Sequence, residues 1–408
     1  MENVLKQSRR NTFTFEGHAI VGEKTFTIDK ANDEGTWVHN SINMGIDCGD
    51  QGIHYVTMMG GYNPIGENYL QLLCTGEDGK LLPREQGFKI DFEDRLNIDF
   101  KDLEEHNVSK SNYINMYVER DNNGKTIPKT FLHLYDVVPY LKEHIVDKTP
   151  LVIRGHIDYR ISTNGDVTAS HVIDTITVKS EEFLNPRASL QLMVLVDKDT
   201  LGQPNLEDRN VPLYVKTITY IGKMNGKKYN QTCAVPLKIL LDMDSQDIET
   251  EQGKKNFKYG VDTYYTPSKK GYVNETLFHC HYTGGVKKTE VKLEDLPKEI
   301  REGIEHGYIS QEQVMGVMTN GPAPKDIVFD FVMSEGKEVQ IEDIVQKIPV
   351  PVHEKAKYKE SEIISFEDLE PVDVTKNVAP DDNTLEISDE ELDDTATNIM
   401  NMFASLGN

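Results

Sequence analysis

Apolar and polar residues alternate most cleanly in LVIRGHIDYRIS, where Leu151, Ile153, Ile157, Tyr159 and Ile161 fall on one side and Arg154, His156, Asp158 and Arg160 on the other. A period of two over this length predicts a half-buried strand. The turn signal Thr163-Asn164-Gly165 follows, and DVTASHVIDTITV reads as the returning strand of a hairpin with a basic outer face. Upstream, TFLHLYDVVPYLKEHIV has helix-like apolar spacing with Pro139 inside it, which predicts one short helix with a break.

A related order recurs downstream. RNVPLYVKTITYIGKMNGKKYNQTCAV predicts a strand pair about Asn225-Gly226, VPLKILLDM a short helix opened by its proline, and FKYGVDTYYT with YVNETLFHCHY a hairpin across residues 267–271. Both halves carry Asn-Gly-Lys, then a proline in an apolar segment (Pro139, Pro236), a strand glycine (Gly155, Gly260) and a turn glycine (Gly165, Gly271), which reads as a weak tandem repeat. A five-stranded, partly open barrel with a helix between its third and fourth strands is the OB arrangement, whose face and long loops bind oligonucleotides. The expected fold is therefore mainly β: two tandem OB-like five-stranded barrels at 1–180 and 187–290, joined through EEFLNPRAS. A small α/β extension at 291–352 follows, with two short helices and the strand DIVFDFV. From 353 to 408 an acidic tail is expected to be disordered until an amphipathic helix at its end.

A length of 408 residues fits this scheme, since domains usually run about 100 to 200 residues. No apolar run approaches the roughly 20 residues needed to cross a bilayer. The first residues, MENVLKQSRRNTFTFEG, lack the apolar stretch of a secretory signal, so a cytoplasmic protein is expected. Cys48, Cys74, Cys233 and Cys280 lie far apart with no C-x-x-C, which fits reduced thiols rather than a disulfide framework or a thiolate zinc site.

Charge changes the picture more. A net charge of -24 argues at first against a polyanion ligand, because a phosphate binder shows a basic footprint. Its distribution says otherwise. Residues 354–408 hold 15 Asp+Glu against 4 Lys, a net of -11, whereas 209–288 hold 13 Lys+Arg against 7 Asp+Glu, a net of +6, with eight of the 18 tyrosines. A sequence-tolerant binder of single-stranded nucleic acid needs a positive groove and flat rings on which bases stack. Strand alternation through FKYGVDTYY leaves Lys258 and Tyr264 as ligand candidates and turns Tyr259 and Tyr265 toward packing, with Lys269 and Lys270 on the following loop. Lys216, Lys223, Lys227, Lys228 and Tyr229, together with Tyr214 and Tyr220, form a similar mixture on the earlier strands, and Arg154, His156 and Arg160 share a face in the first unit. Strand tyrosines also serve as packing residues and hairpin lysines as edge protection, so the patch is a firmer expectation than any one residue in it.

Catalytic signatures are missing: there is no G-x-x-x-x-G-K-[ST], G-x-G-x-x-G or G-x-S-x-G. MMGGYNPIG reads as a flexible loop, and the carboxylates of DFEDRLNIDFKDLEE as a solvated face. In HCH, His279 and His281 fall on one side of a strand, where a packed strand is the simpler reading than a metal site. The expectation is a non-enzyme with no cofactor and no metal. At the far end, SDEELDDTATNIMNMFASLGN begins with Ser388 and Glu391 in capping-box spacing and aligns Leu392, Ala396, Ile399, Phe403 and Leu406 in one apolar stripe, suited to docking on this chain or on a protein partner.

The basic, aromatic middle and the acidic tail DEELDDTATNIMNMF together resemble bacteriophage single-stranded DNA-binding proteins of the OB-fold type. The resemblance lies in architecture and tail. It departs from the bacterial ending of several acids followed at once by a short apolar tip, because Phe403 lies on a helical stripe. It implies single-stranded DNA (or RNA) as ligand, a role in phage DNA replication or recombination in the host cytoplasm, and recruitment of replication proteins through Leu392, Ile399, Phe403 and Leu406. Two other classes fit the composition: a phage structural or assembly protein of tandem β domains, and an acidic DNA mimic that inhibits a host enzyme.

Overall fold

In TFTFEGHAI the side chains of Phe13, Phe15 and Ala19 are buried almost completely, and this alternation forms the strand β1 (Thr12–Ile20). The computed structural model describes residues 5–162, 165–224, 227–284, 297–306, 308, 326–341 and 344–371. After β1 come β2 (Phe26–Ala31), β3 (Val38–Asp47) and β4 (Ile53–Tyr62). A long excursion then carries β5 (Tyr69–Leu72), β6 (Phe88–Asp91), α1 (Phe100–Glu105), β7 (Ile114–Arg120) and β8 (Thr126–Phe131), around a small core of its own that includes Leu70, Phe92 and Leu103. The chain returns through α2 (Leu134–His144), β9 (Pro150–Ile161) and β10 (Val167–Val178). β1 pairs with β3, β3 with β4, β4 in parallel with β10, β10 with β9, and β9 with β1 again, so five strands form a closed circuit of pairings.

The second half repeats this order. It runs through β11 (Arg187–Val196), β12 (Asn210–Met224), β13 (Lys227–Asp242), α3 (Glu251–Gly260), β14 (Tyr272–Thr283), α4 (Lys298–Glu305) and β15 (Asp326–Val332). It ends in the paired arm β16 (Ser334–Ile341) and β17 (Ile344–Pro351), and β18 (His353–Lys359), which lies on β14. Here β11 pairs with β12, β12 with β13, β13 in parallel with β15, β15 with β14, and β14 with β11. The two circuits join where β1 and β11 pair antiparallel about Thr14↔Ser189, giving one fourteen-stranded sheet. Asn11, fully buried at this junction, donates to Tyr159 Oη (3.0 Å) and Thr217 Oγ1 (2.8 Å) and accepts from the Met193 N–H (2.8 Å). One side chain thereby satisfies groups from both circuits. No helix among the described residues is long and apolar enough to cross a membrane.

Several expectations are corrected. The helix α2 continues through Pro139. A proline removes the bond to the carbonyl four residues earlier, and Asn40 Nδ2 donates to that freed Tyr135 carbonyl at 2.7 Å. Met58–Tyr62 of MMGGYNPIG is strand, not loop, and its glycines make room: a Cβ on Gly60 would lie 2.5 Å from the Tyr135 nitrogen, and one on Gly61 2.5 Å from the Trp37 ring. VPLKILLDM is the second half of β13 rather than a helix.

FKYGVDTYY is helix rather than strand: Thr250 caps α3 by accepting from the Gly253 N–H, and a π-helical turn, Val261–Tyr265, extends it. Gly260 therefore has no strand counterpart in Gly155, and the residue register proposed for the repeat does not hold. The second circuit extends beyond residue 290, because its fifth strand is the DIVFDFV segment assigned to an extension. The tail does not begin at 353, since β18 pairs with β14 and residues 360–371 lie against the second circuit. Thr163, Asn164, Asn225 and Gly226, the second helix expected beyond 308, and the stripe Leu392, Ile399, Phe403 and Leu406 lie outside the described residues.

Candidate nucleic-acid interface

Buried Leu213, Val215, Thr217 and Ile221 set the inward parity of β12, which turns Tyr214, Lys216 and Tyr220 outward. The register gives the outer rows Tyr214↔Lys238, Lys216↔Pro236, Ile218↔Ala234, Tyr220↔Thr232 and Lys223↔Lys228. Tyr214 is 53% exposed and Tyr220 56%. Tyr220 Oη donates to Asn230 Oδ1 at 3.2 Å, and Lys216 Nζ to Asp197 Oδ2 at 2.8 Å. Lys227 and Lys228 are exposed near the hairpin tip.

The centre of this face is closed by two segments distant in sequence, one at Leu5 and one at residues 358–370. Ile218 and Ala234 are buried with Leu5 and Tyr358 and packed by Ile363 and Ile364. The Ala234 N–H donates to the Ile364 carbonyl (2.8 Å), Gln231 Nε2 to the Glu370 carbonyl (3.1 Å), and Thr232 Oγ1 to the Leu5 carbonyl (2.5 Å). Two open areas remain, one around Tyr214, Lys216 and Lys238 and one around Tyr220, Lys223 and Lys228.

In the first circuit Arg154, His156, Asp158 and Arg160 do share the outward side of β9, with Leu151, Ile153, Ile157 and Tyr159 buried behind them. Arg154 and Arg160 are exposed. His156 is held between carboxylates, with Nδ1 2.8 Å from Asp174 Oδ1 and Nε2 3.7 Å from Asp158 Oδ1. Hydrogen bonding to Asp158 and then Asp174 outweighs burial and pushes its pKa up to about 9, so the ring is charged at neutral pH. Three cations against Asp158 and Asp174 leave this face at +1. The Asn11 bonds bring the end of β9 next to the middle of β12, so this patch adjoins that of the second circuit.

Other expected contacts fall elsewhere. Tyr229 is 7% exposed and belongs to the core, because it has the inward parity of β13; it is withdrawn as a ligand residue. Lys258 is exposed on helix α3 rather than on a strand face. Tyr264 is half-buried between Tyr259 (centroids 6.0 Å) and His353 (5.2 Å), and burial first, then the Tyr259 hydrogen bond, raises its pKa. Helical geometry also reverses the reading of Tyr259, which is 62% exposed, while Tyr265 packs on Phe278 and Phe329. Lys269 Nζ sits 4.1 Å over the Tyr272 ring, and Lys270 is exposed beside it. Lys238 was missed because its segment reads as a helix. Tyr214 and Tyr220 were grouped with Tyr229, although the spacing of Leu213, Val215 and Ile221 already separates them.

His279 and His281 share one carboxylate: their Nδ1 atoms lie 2.8 Å and 2.7 Å from the two oxygens of Asp330. Burial would raise the pKa of Asp330, but the two imidazole bonds prevail and hold it at about 2. Among the described residues no group of three or more His, Cys, Asp or Glu is placed to hold a metal ion.

No protein-family model matches the chain, and no curated protein matches it. Among solved structures the chain is similar to a deletion mutant of the single-stranded DNA binding protein from Thermus aquaticus, with 8% identity, 67% of this chain and 87% of that chain covered, and a TM-score of 0.27.

Proposed function

We propose that the chain is a non-enzymatic binder of single-stranded DNA built on two OB barrels. Each circuit closes five strands with a helix between the third and fourth, α2 in one and α3 in the other, as the OB arrangement requires. The observation that carries the reading is the outward row of Tyr214, Lys216, Tyr220, Lys223, Lys228 and Lys238 on the second and third strands of the second barrel, the pair that binds oligonucleotides in this arrangement. Lysines meet phosphates, exposed tyrosine rings stack on bases at about 1–3 kcal/mol each, and neither contact depends on sequence. Arg154 and Arg160 on the adjoining β9 continue the positive surface.

The same reading assigns the protein to DNA replication or recombination, as a phage-encoded factor, with Leu392, Ile399, Phe403 and Leu406 recruiting protein partners. Fluorescence anisotropy with labelled poly(dT) at low and moderate salt tests the central claim. Affinity should fall on a log–log salt plot with a slope of about -0.7 per neutralised phosphate. The informative truncation ends at Pro371, since residues 353–371 belong to the folded body. Failure of that chain to bind poly(dT) at low salt would sink the proposal. Retained DNA binding with loss of captured replication proteins is the expected result.

A further inference from the structure

On the outer side of β14 and β15 the His279 ring lies parallel to Phe331, with centroids 4.6 Å apart and planes 3° apart, and Phe331 is 52% exposed. An exposed ring already stacked on one side is a platform for another flat group. Asp330, the extra residue where the β14–β15 register shifts, accepts from both imidazole Nδ1–H groups. Beside Asp330 opens a cavity of about 360 Å³, lined by His281, Asp330, Asp208, Asp242, Asn210 and Gln246 among others. Its volume is within the usual range for small-molecule sites, about 300–1,000 Å³. The Asp208 carboxylate takes one bond, from Asn205 Nδ2 (2.7 Å), and that of Asp242 takes the N–H groups of Asp244 (3.1 Å) and Ser245 (3.3 Å), so both keep lone pairs to offer. The wall is rich in acceptors and carries negative charge, which disfavours phosphate and favours N–H donors.

The junction between the circuits says what this place corresponds to. Thr14 pairs with Ser189 across it, Thr14 also with Arg154, and Ser189 also with His281. Arg154 and His281 therefore hold equivalent positions in the two halves. In each half a register shift on the fifth strand projects an aspartate, Asp174 or Asp330, that meets a histidine Nδ1 of the fourth strand. Where the first half presents arginines suited to phosphate, the second presents a ring, imidazoles and acceptors.

We infer that this outer face of β14 and β15 is a nucleobase subsite. An unpaired base with an exocyclic amine, cytosine or adenine above all, stacks on Phe331 and donates its amine hydrogens to the carboxylates of the cavity; carboxylates accept from the cytosine amine in the same way in duplex readout. Thymine lacks the amine and takes only the stacking. The inference rests on the single-strand-binding function proposed above and adds a base preference to it.

Phe331→Trp supplies the probe, because the chain has one other tryptophan, Trp37, on the first circuit. Titration with oligo(dC) should quench the added indole emission by half or more. By anisotropy the unsubstituted protein should bind oligo(dC) about fivefold more tightly than oligo(dT); Asp208→Ala should bring that ratio close to one with oligo(dT) binding changed much less, whereas Phe331→Ala, which removes the stacking, should weaken both. Oligo(dC) binding without quenching of the new indole, or a dC-to-dT ratio that survives Asp208→Ala, would overturn the subsite while leaving the general function intact. No binding of either oligonucleotide by the unsubstituted protein would overturn both.

Discussion

The first circuit turns Ser41, Asn43, Tyr55, Thr57 and Met59 outward on its second and third strands, a half-exposed row that holds no lysine or arginine and ends at Asp47. The same strands of the second circuit turn out Tyr214, Lys216, Tyr220, Lys228 and Lys238, and the segments at Leu5 and 358–370 are drawn across their centre. Pairing order is shared, so topology alone does not set what each face can bind. Which side chains take the outward parity does. In the first half the cations sit one hairpin away, on β9, and two of its neighbours there are carboxylates. Two copies of one architecture thus present different groups: cations on β9 and at the margins of β12–β13, and the exposed rings Tyr214 and Tyr220 on the second half.

The sharpest test of inward against outward parity on one hairpin is a pair of tyrosines. Tyr229→Ala should cost about 3–5 kcal/mol of stability, the range for deleting a large buried ring, with a matching shift in urea midpoint. Tyr220→Ala, on the facing strand in the register Tyr220↔Thr232, should leave the urea midpoint almost unchanged and weaken poly(dT) binding about tenfold, near one stacked base. Equal effects on both properties in the two variants would erase the distinction.

Next in size is the difference in charge between the two faces. Reversal of Lys223, Lys228 and Lys238 to glutamate should lower affinity for poly(dT) about a hundredfold at low salt and reduce the salt slope by about 2, three phosphate contacts at roughly 0.7 each. The same three-glutamate load on the first face, at Ser41, Thr57 and Met59, should change binding by severalfold at most. Comparable losses would mean that both faces carry the strand.

Much of this was legible in the alternation of residues. β9 and its returning strand read directly, because Leu151, Ile153, Ile157 and Tyr159 are buried on one side of β9 and the shift at Asp174 falls late in the hairpin. The β12–β13 hairpin and the placement of a helix between third and fourth strands were also legible. The helix itself was misplaced, for a physical reason: KYGVDTYY is rich in residues that favour strands, and local propensity is a weak prior against the Thr250 cap and the burial of Tyr265 beneath Phe278 and Phe329. Once that segment was taken for a strand, DIVFDFV had no vacancy to fill, since its partners lie more than forty residues upstream and pairing over that span leaves no local trace. The closing of the second face by Leu5, Ile363 and Ile364 was likewise invisible, being a contact between segments more than 300 residues apart. Of the site, the basic stretch was readable, but which of its rings reach solvent depended on strand parity at Tyr214, Tyr220 and Tyr229.

The two helices offer a smaller contrast. In the first circuit Asn40 repairs the carbonyl that Pro139 leaves open, and its own Oδ1 accepts from the Asp29 N–H at 2.7 Å. Asn40→Ala removes both bonds inside a fully buried site and should cost about 2 kcal/mol. Pro139→Ala in the same background should recover part of that loss by restoring the helical bond to Tyr135. In the second circuit α3 has no internal proline, so no substitution there should show this coupling. Additive effects of Asn40→Ala and Pro139→Ala in a double-mutant cycle would argue against the repair.

The smallest expected effect separates the two histidine–aspartate pairs by pH. His156 is raised from an unfolded value near 6.5 to about 9, chiefly by its bonds to Asp158 and Asp174. A group whose pKa is higher when folded stabilises the fold fully below the unfolded value and loses that contribution as pH rises through the folded one. Stability should therefore decline between about pH 6.5 and 9 by roughly 1–2 kcal/mol, discounted because both carboxylates are half exposed to solvent. Asp330 carries the opposite sign: its folded value of about 2 lies below the usual carboxylate range, so its contribution is present above about pH 4 and fades as pH falls toward 2. Urea denaturation of His156→Gln should flatten the alkaline slope and also remove the part of the acid limb that comes from Asp158, whose pKa the His156 bond lowers, whereas Asp330→Asn should reduce the acid limb and leave the alkaline slope alone. An alkaline slope unchanged in His156→Gln would remove the charged imidazole from the β9 face and lower that face from +1 to zero, so that the lysines at the margins of β12–β13 alone would carry the positive charge of the proposed interface.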